Sequence, residues 1–271
     1  MYLSIDIGGT KTLLALYNWR GRKLKSVKFL TDQDPEKFIF YLSEHLSVFL
    51  SPKQKRKLKA VTMACPSVIT KNGQITPDNL PQWHGFALQK SVTKLFSPTP
   101  VFLVNDASLA ALYESKGKKG KSVYLTFSTG IGGGLTQNGE LLEESNTFEP
   151  GHVKYTWQGK KREWEDVASA NALKRDYDKI ATDLRGKKAM KDITERVSLG
   201  LPDIIKAEQP DYIIIGGALG IQFPNFHYSL NKELAATVGY PLPKLIKAKR
   251  PLESVIYGCY LYGKHHAKNT K

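Results

Sequence analysis

The alternation of apolar and polar positions along the chain predicts an α/β protein in which strands and helices follow one another. Segment 35–50 carries apolar residues at helical spacing, and Pro35 stands in its first turn, where a proline is well tolerated. Short runs rich in β-branched and aromatic residues are typical of strands. The elements predicted for the first half are an opening strand before the glycines at 8–9, strands at 12–18, 23–31, 59–66 and 101–106, and helices at 35–50 and 107–115.

The second half of the chain repeats the outline of the first. Segment 122–145 predicts a strand, a glycine-rich turn, a second strand, a tight turn at Asn138-Gly139 and a third strand. Segment 3–27 has the same order of features, so we expect two structurally related α/β halves. The later elements predicted are helices at 164–181, 189–208 and 252–265 and a strand at 211–217.

Two glycine-rich turns, "DIGGTK" at 6–11 and "STGIGGG" at 128–134, follow strands in equivalent positions of the two halves. Glycines let backbone N–H groups approach phosphate oxygens closely, so the pair is suited to a chain of phosphates, although each turn alone could equally be an ordinary hairpin turn. The first turn lies between strands, which argues against a dinucleotide-binding fold, where such a loop opens a helix. Asp6 is suited to holding Mg²⁺ through water.

Polar residues that could do chemistry follow the strand at 101–106. Asn105 and Asp106 stand at its carboxyl end, where α/β folds place ligands, although both residue types are also common helix caps. In the functional interpretation, Asp106 is a general base that takes the proton of an alcohol during phosphoryl transfer. Glu149, His152 and Glu165 supply the directional hydrogen bonds that a polyhydroxylated ligand needs, whereas a lone histidine is more often structural.

Composition narrows the class of protein. The chain has 271 residues and a net charge of +15. Its lysines lie in short scattered clusters, which are typical of solvated turns. The positive charge also allows a polyanion as a partner. No apolar run reaches the ~18 residues of a membrane-spanning helix, and no signal-peptide pattern opens the sequence, so we expect a cytoplasmic protein without a membrane partner. Cys65 and Cys259 lie far apart in apolar contexts, which argues against a disulfide framework or a cysteine-based metal site.

Six segments, taken together and in this order, resemble the ROK family of repressors, open reading frames and sugar kinases. They are "DIGGTK", "ACPSVITKNGQITPDNLPQWHG", "VNDASLAAL", "STGIGGG", "EPGH" and "IIIGGALG". The resemblance implies an α/β protein with the actin-like, ribonuclease H-like fold of two lobes, built from duplicated βββαβα-type halves. It also implies an N-terminal lobe of residues 1–107, completed by a C-terminal helix at about 252–271, and a C-terminal lobe of residues 108–251.

The same resemblance implies roles for individual residues. Asp106 would be the base that accepts the proton of the sugar's primary hydroxyl. The residues implied for the other sugar hydroxyls are Asn79, Asn105, Glu149, His152 and Glu165. Those implied for the nucleotide are Gly8, Gly9, Thr10, Lys11, Thr129 and Gly130 at the phosphates and Gly216 and Gly217 at the nucleoside. The implied cofactors are ATP and Mg²⁺, with Asp6 at the metal.

Two departures from the family pattern change the expectation. Family members follow the "GH" histidine with three cysteines that bind a structural zinc, but segment 152–165 is short and contains no cysteine, so we expect no zinc and a loop held by packing around Trp157 and Trp164. Ser67 stands where the family has a glycine, which could alter one sugar contact. No helix-turn-helix module precedes "MYLSIDIGG", so we expect no nucleic-acid partner, and the resemblance implies a homodimer.

The sequence therefore predicts an ATP-dependent hexose kinase that acts on the sugar 6-hydroxyl, with glucokinase as the first candidate. A polyphosphate-dependent glucokinase is the alternative for the phosphate donor, favoured by the lysine clusters and by the missing zinc motif. The alternative from another class is a non-catalytic sugar-binding or sensing protein. Such a protein would not need Asp106 and both glycine turns together.

Overall fold

The computed structural model describes residues 1–70, 72–239 and 241–268, and these form two compact units. Unit 1 comprises Met1–Ala110 and Val255–Lys271, and unit 2 comprises Ala111–Ser254. Two parts of the sequence predictions lie outside the described residues. They are Lys71 of the family-like segment 64–85 and residues 269–271 of the C-terminal helix.

Unit 1 is built on a five-stranded sheet. Its elements are β1 (Tyr2–Ile7), β2 (Lys11–Tyr17), β3 (Lys23–Leu30), α1 (Pro35–Phe49), α2 (Pro52–Arg56), β4 (Ala60–Cys65), β5 (Val68–Ile69), β6 (Ile75–Thr76), α3 (Leu88–Phe96), β7 (Val101–Asn105) and α4 (Asp106–Glu114). The strand order is β3-β2-β1-β4-β7. Strands β1, β4 and β7 are parallel, whereas β2 is antiparallel to both β1 and β3. β5 and β6 form a separate small hairpin.

Unit 2 repeats this arrangement. Its elements are β8 (Lys121–Phe127), β9 (Ile131–Gln137), β10 (Glu140–Leu141), β11 (Lys154–Trp157), β12 (Lys160–Glu163), α5 (Trp164–Ala168), α6 (Ala170–Tyr177), α7 (Lys187–Ser198), α8 (Leu201–Glu208), β13 (Tyr212–Gly216), α9 (Gly217–Thr237) and β14 (Lys244–Lys247), after which α10 (Ser254–His266) returns to unit 1. The strand order is β10-β9-β8-β13-β14, and the strand directions match those of unit 1. The identical order and directions confirm the duplicated α/β halves.

The chain passes between the units inside α4 and inside α10. α10 packs on β2 through aromatic rings, with the ring centroids of Tyr17 and Tyr260 5.1 Å apart. At the other end of these two helices, the buried carboxylate of Glu114 accepts hydrogen bonds from the backbone N–H groups of Lys249 (2.6 Å) and Arg250 (2.9 Å) and from the hydroxyl of Ser254 (2.6 Å). One buried side chain therefore ties the last turn of α4 to the start of α10.

Three helix predictions need correction. The helix predicted at 164–181 is two short helices, α5 and α6, followed by a 3₁₀ turn, and the helix predicted at 189–208 is interrupted between α7 and α8. Pro202 explains the second break, because a proline ring clashes with the carbonyl one turn earlier and lacks an N–H. The sequence analysis predicted no helix for α9, which has 21 residues with Pro224 inside it. Among the described residues, no helix combines the length and the apolar composition that crossing a bilayer requires.

The segment that replaces the family's cysteine loop is a tight hairpin of β11 and β12. Trp164, immediately after it, is fully buried, and its indole N–H donates to the carbonyl of Arg196 (2.9 Å). Trp157 is partly exposed, and the guanidinium of Arg196 lies 5.4 Å from its ring centroid. These contacts confirm that the loop packs around the two tryptophans.

We predict that Glu114→Ala lowers the free energy of unfolding by about 3 kcal/mol, because it leaves two partly buried N–H groups without their acceptor and removes one of the two acceptors of the Ser254 hydroxyl. Glu114→Gln keeps one acceptor oxygen and should cost about half as much. Urea denaturation followed by tryptophan fluorescence measures both, with Glu143→Ala at an exposed position as a control that should stay within about 0.5 kcal/mol of the original. Equal stability of Glu114→Ala and the control would contradict the role of these bonds.

Candidate functional site

The carboxyl ends of the parallel strands bring several of the predicted residues of unit 1 to one edge of its sheet. Asp6 lies opposite Ala64 of β4, and Ala64 lies opposite Val104 of β7. Asn105 ends β7 and Asp106 begins α4 directly after it. Asp6 near the end of β1 and Asp106 directly after β7 therefore lie at the same edge of the sheet, where β4 alone separates the two strands.

Asp6 and Asp106 are electrostatically coupled carboxylates in a largely apolar setting. Burial, followed by the negative charge of Asp106, raises the pKa of Asp6 to about 7, against the opposing effect of Lys28. Burial also raises the pKa of Asp106, although the N–H of Ala107 donates to its Oδ1 at 2.7 Å and opposes the shift. Raised carboxyl pKa values in this position are typical of functional sites, where groups must exchange protons near neutral pH.

Both cysteines of the chain are buried near the same two carboxylates. Burial first, and then the charges of Asp6 and Asp106, raise the pKa of the Cys65 and Cys259 thiols well above the ordinary range. A thiol held in its neutral form is a poor nucleophile and a poor metal ligand. The two cysteines are therefore packing residues of this edge.

The first glycine turn joins β1 to β2, as predicted. The N–H of Gly8 donates to the carbonyl of Lys11 (3.0 Å), which closes the turn, and the side chains of Thr10 and Lys11 are exposed. A Cβ on Gly9 would lie 2.9 Å from the Cβ of Asn79. The structure therefore brings Asn79, predicted at the sugar, directly against a glycine predicted at the phosphates.

Asn105 and Ser67 have clear structural roles at this edge. The amide of Asn105 donates to the carbonyl of Ser67 (3.4 Å), and its oxygen accepts from the N–H of Ser108 (3.0 Å) in the first turn of α4. The hydroxyl of Ser67 donates to the carbonyl of Val68 (2.8 Å) and accepts from the N–H of Thr76 (2.7 Å). The cap that the sequence analysis considered for Asn105 is thus present, and the Ser67 hydroxyl is part of the hairpin of β5 and β6.

Unit 2 gathers its own predicted residues around the carboxylate of Glu165. The N–H of Ile131, the first residue of β9 within the segment 128–134, donates to Glu165 Oε2 (3.1 Å). A Cβ on Gly130 would lie 2.4 Å from this oxygen, and a Cβ on Gly151 would lie 2.9 Å from it. A Cβ on Gly151 would also lie 2.4 Å from the backbone oxygen of Ile131, so this position requires a glycine. Glu165 lies between the turn at 128–130 and the turn at 150–152. Thr129 is exposed at the tip of the first of these turns.

Next to Glu165, His152 contacts a residue that the sequence analysis missed. Glu149 precedes the 3₁₀ turn Pro150–His152, and His152 Nδ1 lies 3.1 Å from Oε2 of Glu163. Within the described part of the chain, one group of three side chains has the composition of a cation site, with ligand atoms of His152, Glu163 and Glu165 all within 4.8 Å of one another. Glu163 becomes a neighbour of His152 through the register of β11 and β12, which the sequence pattern did not indicate.

Gly216 and Gly217 lie where β13 ends and α9 begins. Gly217 has φ of +68°, its N–H donates to the carbonyl of Pro251 (2.9 Å), and a Cβ there would lie 2.4 Å from the carbonyl oxygen of Phe127. Packing alone therefore requires a glycine at 217. The start of a long helix also attracts negative charge, so the structural requirement is compatible with the predicted nucleotide contact.

Comparison with known proteins agrees with this geometry. Residues 2–249 match the sequence model described as "ROK family". An N-acetylmannosamine kinase from Escherichia fergusonii is 34% identical over 161 residues, which are 57% of this chain and 53% of that protein. The chain thus spans about half the length of the curated relatives it matches.

Two solved structures share the fold over nearly the whole chain. The ROK hexokinase from Thermus thermophilus has a TM-score of 0.75 at 24% identity and covers 99% of both chains. The inorganic polyphosphate/ATP-glucomannokinase from Arthrobacter sp. strain KM has a TM-score of 0.74 at 21% identity and covers 98% of both chains. The predicted actin-like, ribonuclease H-like fold is confirmed.

The raised pKa of Asp6 predicts an unusual pH dependence of stability. Between the ordinary carboxyl pKa near 4 and about 7, the folded protein keeps a proton that the unfolded chain has lost, so stability falls as pH rises through this window. Asp6→Asn removes the ionisation and should raise the free energy of unfolding by about 4 kcal/mol at pH 8, with the difference vanishing near pH 4.

Urea denaturation in metal-free buffer at pH 4, 6 and 8 measures this difference. Asp178→Asn makes the same chemical change at an exposed residue and should leave stability unchanged at each pH. A variant Asp6→Asn that is less stable than the original protein at pH 8 would contradict the predicted direction.

Proposed function

The chain belongs to the ROK family, and from this premise we propose that it is a kinase that transfers the terminal phosphate of Mg-ATP to the 6-hydroxyl of a hexose. The observation that carries the proposal is the carboxylate of Asp106 at the carboxyl end of β7, with a raised pKa and with Asp6 as its charged neighbour. The named relatives that support it are a sugar kinase and two hexose kinases.

In the proposed reaction, the ionised carboxylate of Asp106 accepts the proton of the sugar hydroxyl. The hydroxyl oxygen forms the new bond to the terminal phosphorus, and the bond between this phosphorus and the bridging oxygen of the donor breaks, which releases ADP. Burial favours the neutral form of Asp106, and this makes the ionised carboxylate a stronger base at neutral pH.

The residues proposed at the donor fit a polyphosphorylated ligand with Mg²⁺. Two mutually repelling carboxylates in a largely apolar setting suit a divalent cation, and Asp6 is the residue that would hold it. When bound, Mg²⁺ neutralises charge on the transferred phosphate. We assign the phosphates to the turn Gly8, Gly9, Thr10 and Lys11 and to Thr129 and Gly130, and the nucleoside to Gly216 and Gly217.

The sugar hydroxyls are assigned to Asn79 and Asn105 in unit 1 and to Glu149, His152 and Glu165 in unit 2. Carboxylate, imidazole and amide groups form directional hydrogen bonds, which is the chemistry that distinguishes one hexose from another. Glucose is the first candidate, and the relative named N-acetylmannosamine kinase makes that sugar the second. A cytoplasmic homodimer is the form that we propose on the family resemblance.

Polyphosphate is the second candidate for the donor, supported by the net charge of +15 and by the name of the Arthrobacter relative. Two lysine clusters do meet in unit 2, since burial and the charges of Lys249 and Lys244 lower the pKa of Lys118. Lys244 begins β14 and lies at the end of the parallel strands opposite the turn at 128–130. Lys249 lies toward their carboxyl ends, since the N–H of the preceding Ala248 donates to the carbonyl of Ile215.

We predict that Asp106→Asn lowers kcat for sugar phosphorylation at least about 100-fold and leaves the Kd of the sugar within about threefold, because the amide occupies the same space but accepts no proton. A coupled assay for hexose 6-phosphate, run with ATP and with polyphosphate on glucose, mannose and N-acetylmannosamine, measures the first effect. Calorimetric titration of the sugar measures the second, with Asp178→Asn as the matched control.

Full turnover of Asp106→Asn would contradict the assignment of the base. Sugar binding without turnover in the unaltered protein, with either donor, would instead favour the sugar-sensing alternative.

A further inference from the structure

The hairpin of β11 and β12 holds Glu163 in a defined place beside His152. Its turn contains Gln158 and Gly159, both with positive φ (50° and 75°), which is the geometry of a two-residue hairpin turn. The register pairs Lys154 with Glu163, and the N–H of Trp164 donates to the carbonyl of Val153 (2.9 Å). The backbone on both sides of the contact is therefore bound together, one residue away from each partner.

The residue after Glu163 anchors this end of the hairpin in the core. Trp164 is fully buried, with its ring centroid 5.4 Å from that of Phe127 and 6.3 Å from that of Tyr155, both in edge-on geometry. Its indole N–H is bonded to the carbonyl of Arg196. The core of unit 2 therefore fixes the backbone position of Glu163, from which its carboxylate reaches His152.

The contact itself determines which ring nitrogen of His152 carries the proton. An ionised carboxylate only accepts hydrogen bonds, so the 3.1 Å contact between Nδ1 and Glu163 Oε2 requires a proton on Nδ1. In the neutral ring the lone pair then belongs to Nε2. A histidine held in this form presents Nε2 as an acceptor for a donor such as a sugar hydroxyl.

Stability does not account for this pair. The side chains of His152 and Glu163 are 43% and 33% exposed, and pairs at such exposure contribute between zero and about 1 kcal/mol to folding. A contact of this kind can still orient the imidazole ring in water. In other sites, a carboxylate fixes the tautomer and the plane of a histidine that acts on a ligand.

We propose that Glu163 is a positioning residue that holds His152 as the Nδ1–H tautomer, with Nε2 directed to accept a hydrogen bond from a sugar hydroxyl. The sugar as ligand rests on the proposed function, whereas the tautomer depends only on the contact. Glu165, which accepts from the N–H of Ile131, has a carboxylate oxygen within 4.8 Å of a ring nitrogen of His152. A directed lone pair and a carboxylate together favour a ligand that presents two adjacent hydroxyl donors.

The test compares the full-length protein with Glu163→Ala and Glu163→Gln. Imidazole ¹⁵N spectra at pH 8 report the tautomer, and His152→Asn identifies the His152 signal. We expect the Nδ1–H pattern in the unaltered protein and in Glu163→Gln, whose amide oxygen still accepts, and a shift toward Nε2–H in Glu163→Ala. For sugar phosphorylation, Glu163→Ala should raise KM about 10-fold with kcat within about threefold, and Glu163→Gln should restore most of the loss.

Glu144→Ala, at an exposed residue outside the contact, is the control that should change neither readout. An Nε2–H tautomer in the unaltered protein, or an unchanged tautomer in Glu163→Ala, would overturn the proposal. A His152 spectrum that changes on addition of Zn²⁺ or EDTA would overturn it as well, because a bound cation would then orient the ring.

Absence of turnover on every sugar, together with the expected tautomer change, would reject the proposed kinase function and support the positioning role. Failure of the proposed kinase function and failure of the positioning role therefore give different results.

Discussion

The parallel alignment of three neighbouring strands in each sheet is the constraint on which the rest of the structure depends. In unit 1 it brings the carboxyl ends of β1, β4 and β7 to one edge, and in unit 2 it does the same for β8 and β13. Where a strand ends at this edge, the backbone N–H and C=O groups of the following residues no longer form hydrogen bonds within the sheet. Turns and helix starts at this edge can therefore present these groups to a ligand. The strands that create the edge also exclude water from it, and this desolvation raises the pKa of Asp6 and Asp106.

Much of this edge was predictable because its signals are local in sequence. An apolar run followed by glycines, or by Asn105-Asp106, identifies a strand and the point where it ends. α9 also has a local signal, because apolar residues recur at helical spacing along it: Leu219, Phe223, Phe226, Leu230 and Leu234. The signal was missed because Gly220 and Pro224 are residue types that normally interrupt helices. At α5 and α7 the opposite happened, because the sequence pattern predicted one continuous helix in each case. Tertiary packing ends the helix after α5, and Pro202 ends it after α7.

The contacts that complete the candidate site were not predictable in the same way. Glu163 meets His152 only because β11 and β12 pair in one register, and a shift by one residue would turn the carboxylate to the other face. Glu165 approaches two glycines that are distant from each other in sequence, Gly130 and Gly151. Such proximities arise from the fold as a whole, so sequence similarity to a family indicates the residues but not the partners that hold them.

The division of the chain has a consequence for its synthesis. Unit 2 is one continuous segment, whereas unit 1 needs α10, whose Ile256 and Tyr260 complete a cluster with Ala15 and Tyr17. Domains usually complete their folding in the order in which the ribosome delivers them. Here the order is inverted, because the second unit is complete while the first still waits for the final helix. Until that helix arrives, the face of β2 that carries Ala15 and Tyr17 lacks its apolar partner and stays exposed to water in the nascent chain.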